Sequence, residues 1–272
     1  MKVKKLLILG LSSILLSACS ANDNDKAGQT LDSGQTASAV SNVETTSNLV
    51  SDGIIDLGTS ADFPPFEFYK DQEMTGIDID IANEISKKIG IEIKFHDMEF
   101  SAIIASIESG KLDGGMSGFT VTDERKKQVN FTDSYTKSVQ KIMIKNDSEI
   151  AAIDQLKDKK IGVQLGTTGE IFAVDDFGDE NVQSFAKYSD AVLALQSGKI
   201  DAMVLDQQTA DKFVKANDDL KILETDYAQE DYAIALGKEN QALYDEINKA
   251  LNELKEDGTI DKILDKYINS ED

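Results

Sequence analysis

Tryptophan is absent from the 272-residue chain, and cysteine, histidine and arginine each occur once, as Cys19, His96 and Arg125. One cysteine excludes an intramolecular disulfide, and one cysteine with one histidine cannot build a Cys/His zinc site, so no metal site is expected. Any Ser-His-Asp or Cys-His mechanism would have to use His96. That residue ends the alternating run Ile91-Glu92-Ile93-Lys94-Phe95-His96 and shares its polar face with Glu92 and Lys94, as a solvent-facing strand histidine does. No catalytic residue is expected. Positive charge is also scarce: 28 Lys plus Arg stand against 50 Asp plus Glu, for a net charge of −22 and a pI near 4.4. Nucleic acid and anionic lipid are therefore poor partners.

What is present begins with an address. Lys2, Lys4 and Lys5 precede the apolar run from Leu6 to Leu16, which ends in Ser17-Ala18-Cys19. Residues 1–18 read as a secretory signal peptide, too short to remain as a membrane span. The tetrapeptide Leu16-Ser17-Ala18-Cys19 resembles the bacterial lipobox, which implies that Cys19 is lipidated and becomes the mature N-terminus. Loss of the three lysines takes the net charge to −25. Residues 20–52 are rich in Ser, Thr, Asn, Asp, Gln, Gly and Ala and show no apolar periodicity. They are expected to form a disordered tether spanning roughly 30 Å.

From Ile54 onward, short apolar runs alternate with helical periods, the pattern of an α/β fold. Ile77, Ile81, Ile85 and Ile89 form one helix stripe ending at Gly90; Leu243, Tyr244, Ile247, Ala250, Leu251 and Leu254 form another. Residues 100–113 align without a gap on residues 188–201, at a constant offset of 88, each reading as helix, Ser-Gly-Lys stop, then strand. Leu57-Gly58-Thr59-Ser60 and Leu165-Gly166-Thr167-Thr168 read as two further matching turns. Two copies of a βαβ plan predict two similar lobes, with a ligand crevice between them beyond the carboxyl ends of the strands.

Candidate recognition residues cluster around that crevice. Thr122 suits an N-cap, with Asp123 and Glu124 at the positive helix end, yet Arg125 falls at the third helical position, against the macrodipole. Such a cation is either half of a surface ion pair or the partner of an anionic ligand such as an α-carboxylate. Both prolines and three aromatics crowd Asp62-Phe63-Pro64-Pro65-Phe66-Glu67-Phe68, a stiff loop that offers Phe63 as a ligand wall or a core residue. Phe100 opens the helix of the first repeat copy. Thr167 and Glu170 have capping-box spacing; Asp206, ending an apolar strand, suits either an N-cap or a ligand ammonium.

Together with Gly76-Ile77-Asp78-Ile79-Asp80, Ser109-Gly110-Lys111-Leu112-Asp113 and Thr120-Val121-Thr122-Asp123-Glu124-Arg125-Lys126-Lys127, these segments resemble the polar amino acid ABC transporter substrate-binding family, solute-binding family 3. The resemblance implies a periplasmic-binding-protein-like fold, two α/β lobes joined by crossover strands near Lys137–Lys141 and Glu230–Ile234. Residues 53–138 and 235–272 would form one lobe and 139–234 the other. It implies that Arg125, aided by Thr120 and Thr168, binds an α-carboxylate, that Asp206 and the Gly118 carbonyl hold an ammonium, and that Phe63 and Phe100 sandwich a side chain, with Ser60 and Gln164 nearby. Glutamine receptors of the family tend to carry Asp and Lys where Ser60 and Gln164 stand. Asp62 and Glu170 could instead meet a cationic side chain, as of arginine or lysine. The implied protein is a monomeric, lipid-anchored receptor on the outer face of the cell membrane, using no cofactor and delivering its ligand to ABC permease and ATPase subunits. Two other classes share the pattern: a surface lipoprotein that senses an amino acid, and a cyclohexadienyl dehydratase-like enzyme using Glu67 or Asp206.

Overall fold

The computed structural model describes residues 49–269. The leader, Cys19 and most of the tether lie outside the described residues.

Strand β1 (Ile54–Thr59) leads into a small antiparallel ribbon, β2 (Asp62–Phe63), β3 (Glu67–Lys70) and β4 (Glu73–Thr75). Helix α1 (Ile77–Ile89), strand β5 (Glu92–Asp97), helix α2 (Phe100–Glu108) and strand β6 (Gly114–Gly115) follow, then helix α3 (Asp123–Gln128) and strand β7 (Asn130–Phe131). The long strand β8 (Thr136–Lys145) carries the chain into a second sheet, built with β9 (Ile161–Gln164), α4 (Thr168–Phe177), β10 (Val182–Phe185), α5 (Tyr188–Gln196), β11 (Ala202–Asp206), α6 (Gln207–Ala216) and β12 (Leu220–Ile222). Strand β13 (Ala228–Tyr232) returns to the first sheet, where β14 (Ala235–Leu236), α7 (Gln241–Glu256) and α8 (Thr259–Ile268) complete the chain.

The first sheet has the order β5-β1-β6-β14-β7, and the second runs β10-β9-β11-β8-β12. Within each, the strand–helix–strand units pair in parallel, and one strand from the other end of the segment is added antiparallel. Two lobes result. They are joined by β8 and β13, antiparallel neighbours in register from Thr136↔Tyr232 to Gln140↔Ala228. The second crossover thus begins two residues before the expected Glu230, because the pairing with Gln140 extends it.

The duplicated sequence folds into duplicated structure. Helices α2 and α5 begin and end at equivalent positions, and both close on serine C-caps followed by a left-handed glycine, Gly110 at φ 69° and Gly198 at φ 72°. Asp113 Oδ2 then accepts the Asp56 N–H at 2.8 Å, and Asp201 Oδ2 accepts the Lys160 N–H at 2.8 Å, so each copy pins its turn to the preceding strand in the same way. The two Leu-Gly-Thr segments, by contrast, are not equivalent. Leu165-Gly166-Thr167 is a turn after β9, whereas Leu57-Gly58-Thr59 lies inside β1. Gly58 is there for close approach: a Cβ would stand 2.7 Å from Leu112 and 2.8 Å from Ile103. The strand expected after the first Ser-Gly-Lys stop is only Gly114–Gly115, where Gly114 admits the β14 backbone and Gly115 the Ile103 side chain at close range.

The isoleucine stripe behaves as its period requires. Ile77, Ile81 and Ile85 are buried in α1, against Leu243, Ile247, Ala250 and Leu251 of α7, and Gly90 ends the helix in the left-handed region. Acids in the first turn and lysines in the last complement the dipole. Ile81 has no exposed surface. Ile81→Ala is expected to cost about 2–5 kcal/mol, read as a lowered midpoint in urea.

Candidate functional site

Strands of both sheets end at a cleft where the lobes meet. In this conformation it narrows to a cavity of about 20 Å³, room for roughly one water. All nine residues expected at the site line it: Ser60, Phe63, Phe100, Gly118, Thr120, Arg125, Gln164, Thr168 and Asp206.

Arg125 is positioned by its helix start. Thr122 caps α3 by accepting the Arg125 N–H at 3.2 Å, which turns the side chain inward. The guanidinium donates to the Thr120 carbonyl at 2.8 Å and, across the cleft, to the Gly166 carbonyl at 3.0 Å, and lies 5.5 Å from the Phe100 and Phe119 ring centres. It is 7% exposed and makes no ion pair among the described residues. The surface-pair alternative therefore falls. Burial lowers its pKa, and the charge of Glu230 opposes that shift. A buried cation with donors to spare and no carboxylate in ion-pair contact is a site for an anion.

Asp206 is its counterpart on the second lobe. It occupies the N-cap position of α6, yet its side chain makes no capping bond, and Oδ1 is buried without a hydrogen-bond partner among the described residues. Burial raises its pKa to about 6, against the opposing pull of the Tyr232 and Ser138 hydroxyls. Under the offset of 88, Asp206 is the equivalent of Gly118, as Tyr188 is of Phe100. All four line the cavity, so the two copies present matching positions to it from opposite sides. Gly118 sits at φ 54° with space for no side chain, its Cβ position lying 2.7 Å from Phe63.

The aromatic arrangement differs from a simple sandwich. Phe63 stacks on Tyr188 of the other lobe, centroids 5.4 Å apart, and on Phe66, while Phe100 stacks on Phe119 at 4.7 Å. Gln164 reaches across to Ser60 Oγ at 3.4 Å. Neither Asp62 nor Glu170 lines the cavity. Glu170 is occupied at its own helix start, accepting the Gly166 N–H at 2.6 Å and the Ser184 hydroxyl. Asp62 is half-buried beneath the start of α5, where burial raises its pKa and the Ser189 and Tyr188 amides lower it.

The acids in the cavity are instead Glu67 and Glu230. Glu230, on β13, accepts hydrogen bonds from Thr168 Oγ1 at 2.7 Å, Gln140 Nε2 at 3.1 Å and the Thr120 hydroxyl. Burial, then the charge of Asp206, raises its pKa to about 8. Glu67 accepts from Ser117 Oγ at 2.5 Å and has no exposed surface. Sequence reasoning places Glu230 and Gln140 on the crossovers without assigning them to the site. Their signal is burial on strands that carry several polar residues, legible only once the register is known. His96 lies outside the cavity, on the edge strand β5, with Nε2 2.6 Å from Asp56 Oδ1.

Two α/β lobes on paired crossover strands, closing on a cavity lined by one buried cation without an ion pair and by two buried carboxylate oxygens, Asp206 Oδ1 and Glu67 Oε2, without hydrogen-bond partners among the described residues, define a two-lobed solute-binding protein. The chain belongs to the bacterial extracellular solute-binding proteins, family 3, whose pattern it matches over residues 55–270. It is 35% identical over 221 residues to the arginine-binding extracellular protein ArtP of Bacillus subtilis, covering 79% of this chain and 86% of that one. It is 40% identical over 215 residues to a probable histidine-binding protein of Campylobacter jejuni, covering 78% and 83%. Among solved structures, the arginine-, lysine-, histidine-binding protein ArtJ of Geobacillus stearothermophilus superposes with a TM-score of 0.76 at 31% identity, covering 80% of this chain and 96% of that one. These relatives are named as binding proteins, and the chain is a binding protein rather than an enzyme. No helix among the described residues is long and apolar enough to cross a membrane.

Proposed function

We propose that the protein is a lipid-anchored receptor that captures a cationic L-amino acid, arginine foremost, and delivers it to an ABC importer. The observation that carries the reading is the pairing of Arg125 with Asp206 across one cavity, each buried and each lacking a charged partner among the described residues. Arg125 would take the α-carboxylate with the Thr120 and Thr168 hydroxyls beside it; Asp206 and the Gly118 carbonyl would take the ammonium. Ser60 and Gln164 would line the path between lobes, and Phe63, Phe100 and Tyr188 would flank the side chain. Glu67 and Glu230, whose pKa values burial raises, would ionise against a cationic side chain and so favour it over a neutral one.

The names of the relatives support the same choice. A cavity of about 20 Å³ admits an amino acid only if the lobes part, which the two-strand connection allows as a hinge. Residues 53–138 with 235–272, and 139–234, are the bodies we propose to move. The lipobox at Cys19 would hold this monomer at the outer face of the membrane, near its permease and ATPase partners.

The test is a thermal-shift screen of the purified protein, stripped of bound ligand, against the twenty amino acids plus cystine and ornithine. A ligand at 100 times its Kd should stabilise the fold by roughly 2.7 kcal/mol. Arginine, lysine or histidine should give the largest shifts. A shift with acidic amino acids alone, or with none, would overturn the reading.

A further inference from the structure

At the cavity wall, Glu67 backs onto Asp78, an acid pair that the capture of carboxylate and ammonium does not use. Glu67 on β3 and Asp78 in the first turn of α1 have no exposed surface, and neighbouring groups hold them side by side: the consecutive residues Ser117 and Gly118 donate to Glu67 and Asp78 respectively, and the Asp78 N–H donates to the carbonyl of Phe66, next to Glu67. Their donors are unequally shared. Asp78 receives two: Tyr135 Oη at 2.8 Å on Oδ1 and the Gly118 N–H at 3.1 Å on Oδ2. Glu67 receives only the Ser117 hydroxyl on Oε1, and its Oε2 is buried with no donor among the described residues.

Two carboxylates cannot hydrogen-bond to each other without a proton, and two adjacent buried negative charges with no cation would be very costly. The groups that face the pair offer no positive charge: Asp62 from β2, Ser117 and Gly118 from the turn after β6, Tyr135 from the approach to β8, and Tyr188 from α5. Neither acid makes an ion pair among the described residues.

We infer that Glu67 and Asp78 hold one proton between them, on Glu67, and that a cationic ligand side chain entering beside Glu67 displaces it to solvent, coupling capture to proton release. The O–H bond of Glu67 breaks, the proton passes to water, and the new carboxylate is neutralised by the ligand. Burial supports the order of ionisation: it raises Asp78 to about 6 and, with the charge of Asp78 adding to it, lifts Glu67 well above the usual range. Asp78 is thus a positioning residue. It holds the proton on Glu67 and anchors the Gly118 peptide, whose own carbonyl faces the proposed ammonium. A neutral side chain has nothing to exchange for the proton, so the device discriminates by charge rather than by size.

The inference rests on the reading that the cleft takes an amino acid, and its test separates the two. L-Arginine is titrated calorimetrically into the ligand-stripped protein in buffers of different ionisation enthalpy near neutral pH. About one more proton should leave per arginine in the wild type than in Asp78→Asn, where an amide replaces the acid, and than in Glu67→Gln. Equal release in all three overturns the inference while leaving the receptor reading intact. If arginine gives no heat, or if Asp78→Asn does not fold, the infrared spectrum of the unliganded wild type decides. A protonated-carboxyl band at neutral pH that loses one carboxyl's intensity in Glu67→Gln, beyond what Glu230 contributes, supports the shared proton, and an unchanged band refutes it.

Discussion

Arg125→Ala is expected to abolish amino acid binding while barely altering the unliganded fold. In a folded protein, removing one partner of a buried charge pair costs about 3–5 kcal/mol, which in Kd is roughly two to three and a half orders of magnitude. Here the pair forms only when ligand is present, since the guanidinium has no carboxylate of its own among the described residues. Its two carbonyl bonds and its aromatic contacts offset a desolvation cost that alanine does not carry. The unliganded stability should therefore move by no more than about 1 kcal/mol. Calorimetry for binding and urea midpoints for stability measure the two effects separately. Arg125→Lys should rescue little, because an ammonium cannot present the planar two-pronged donor set. A collapse of unliganded stability in Arg125→Ala, matching the loss of binding, would make the residue structural instead.

Asp206→Asn should weaken binding and strengthen the unliganded protein. Loss of a buried charge partner for the ligand ammonium is worth about 2–5 kcal/mol of affinity. Stability moves the other way because burial holds the folded pKa of Asp206 at about 6, above the ordinary aspartate value of 3.8. A raised carboxyl binds its proton more tightly in the folded state, so its stabilising contribution is full below the unfolded pKa and is lost as pH rises through the folded one. Glu230 extends the same trend to about 8, partly because the charge of Asp206 acts on it. The unliganded wild type should thus lose stability between about pH 4 and 8, at up to roughly 1.4 kcal/mol per pH unit for each proton that the folded state retains and the unfolded chain has lost. Asp206→Asn should flatten that slope and be the more stable protein by about 1–3 kcal/mol at neutral pH, as urea titrations across the pH range would show. Bound ligand should flatten it too. An unchanged slope would remove Asp206 from the account.

The features that sequence makes legible are those encoded locally or by repetition. The isoleucine stripe of α1, the Thr122 cap and the 88-residue offset each need only neighbouring positions to be read, and each survives in the structure. Arg125 stands out because a cation at that helix position contradicts the local rules. The cavity acids are hidden for the opposite reason. Glu230 and Gln140 obey strand patterning, and only the pairing of β13 with β8 turns them toward Thr168 and Thr120. Asp62 and Glu170 mislead because proximity in sequence to recognition residues is not proximity in space. Glu170 turns back to cap its own helix, and Asp62 lies under the start of α5. The two Leu-Gly-Thr segments mislead similarly: one pattern serves a turn in one copy and a tight strand crossing in the other.

The order of strands also governs how the molecule is made. The second sheet is drawn from one continuous stretch, β8 to β13, whereas the first places β14 between β6 and β7 and covers its face with α7 and α8. Emerging N-terminus first, the chain presents the later lobe with everything it needs as soon as that lobe appears. The earlier one waits with β6 unpaired on one side until residue 236 arrives from beyond the other lobe. Its assembly is a long-range closure, slow relative to local helix formation, so the half of the protein that carries Arg125 is the last to mature although it is the first to be translated.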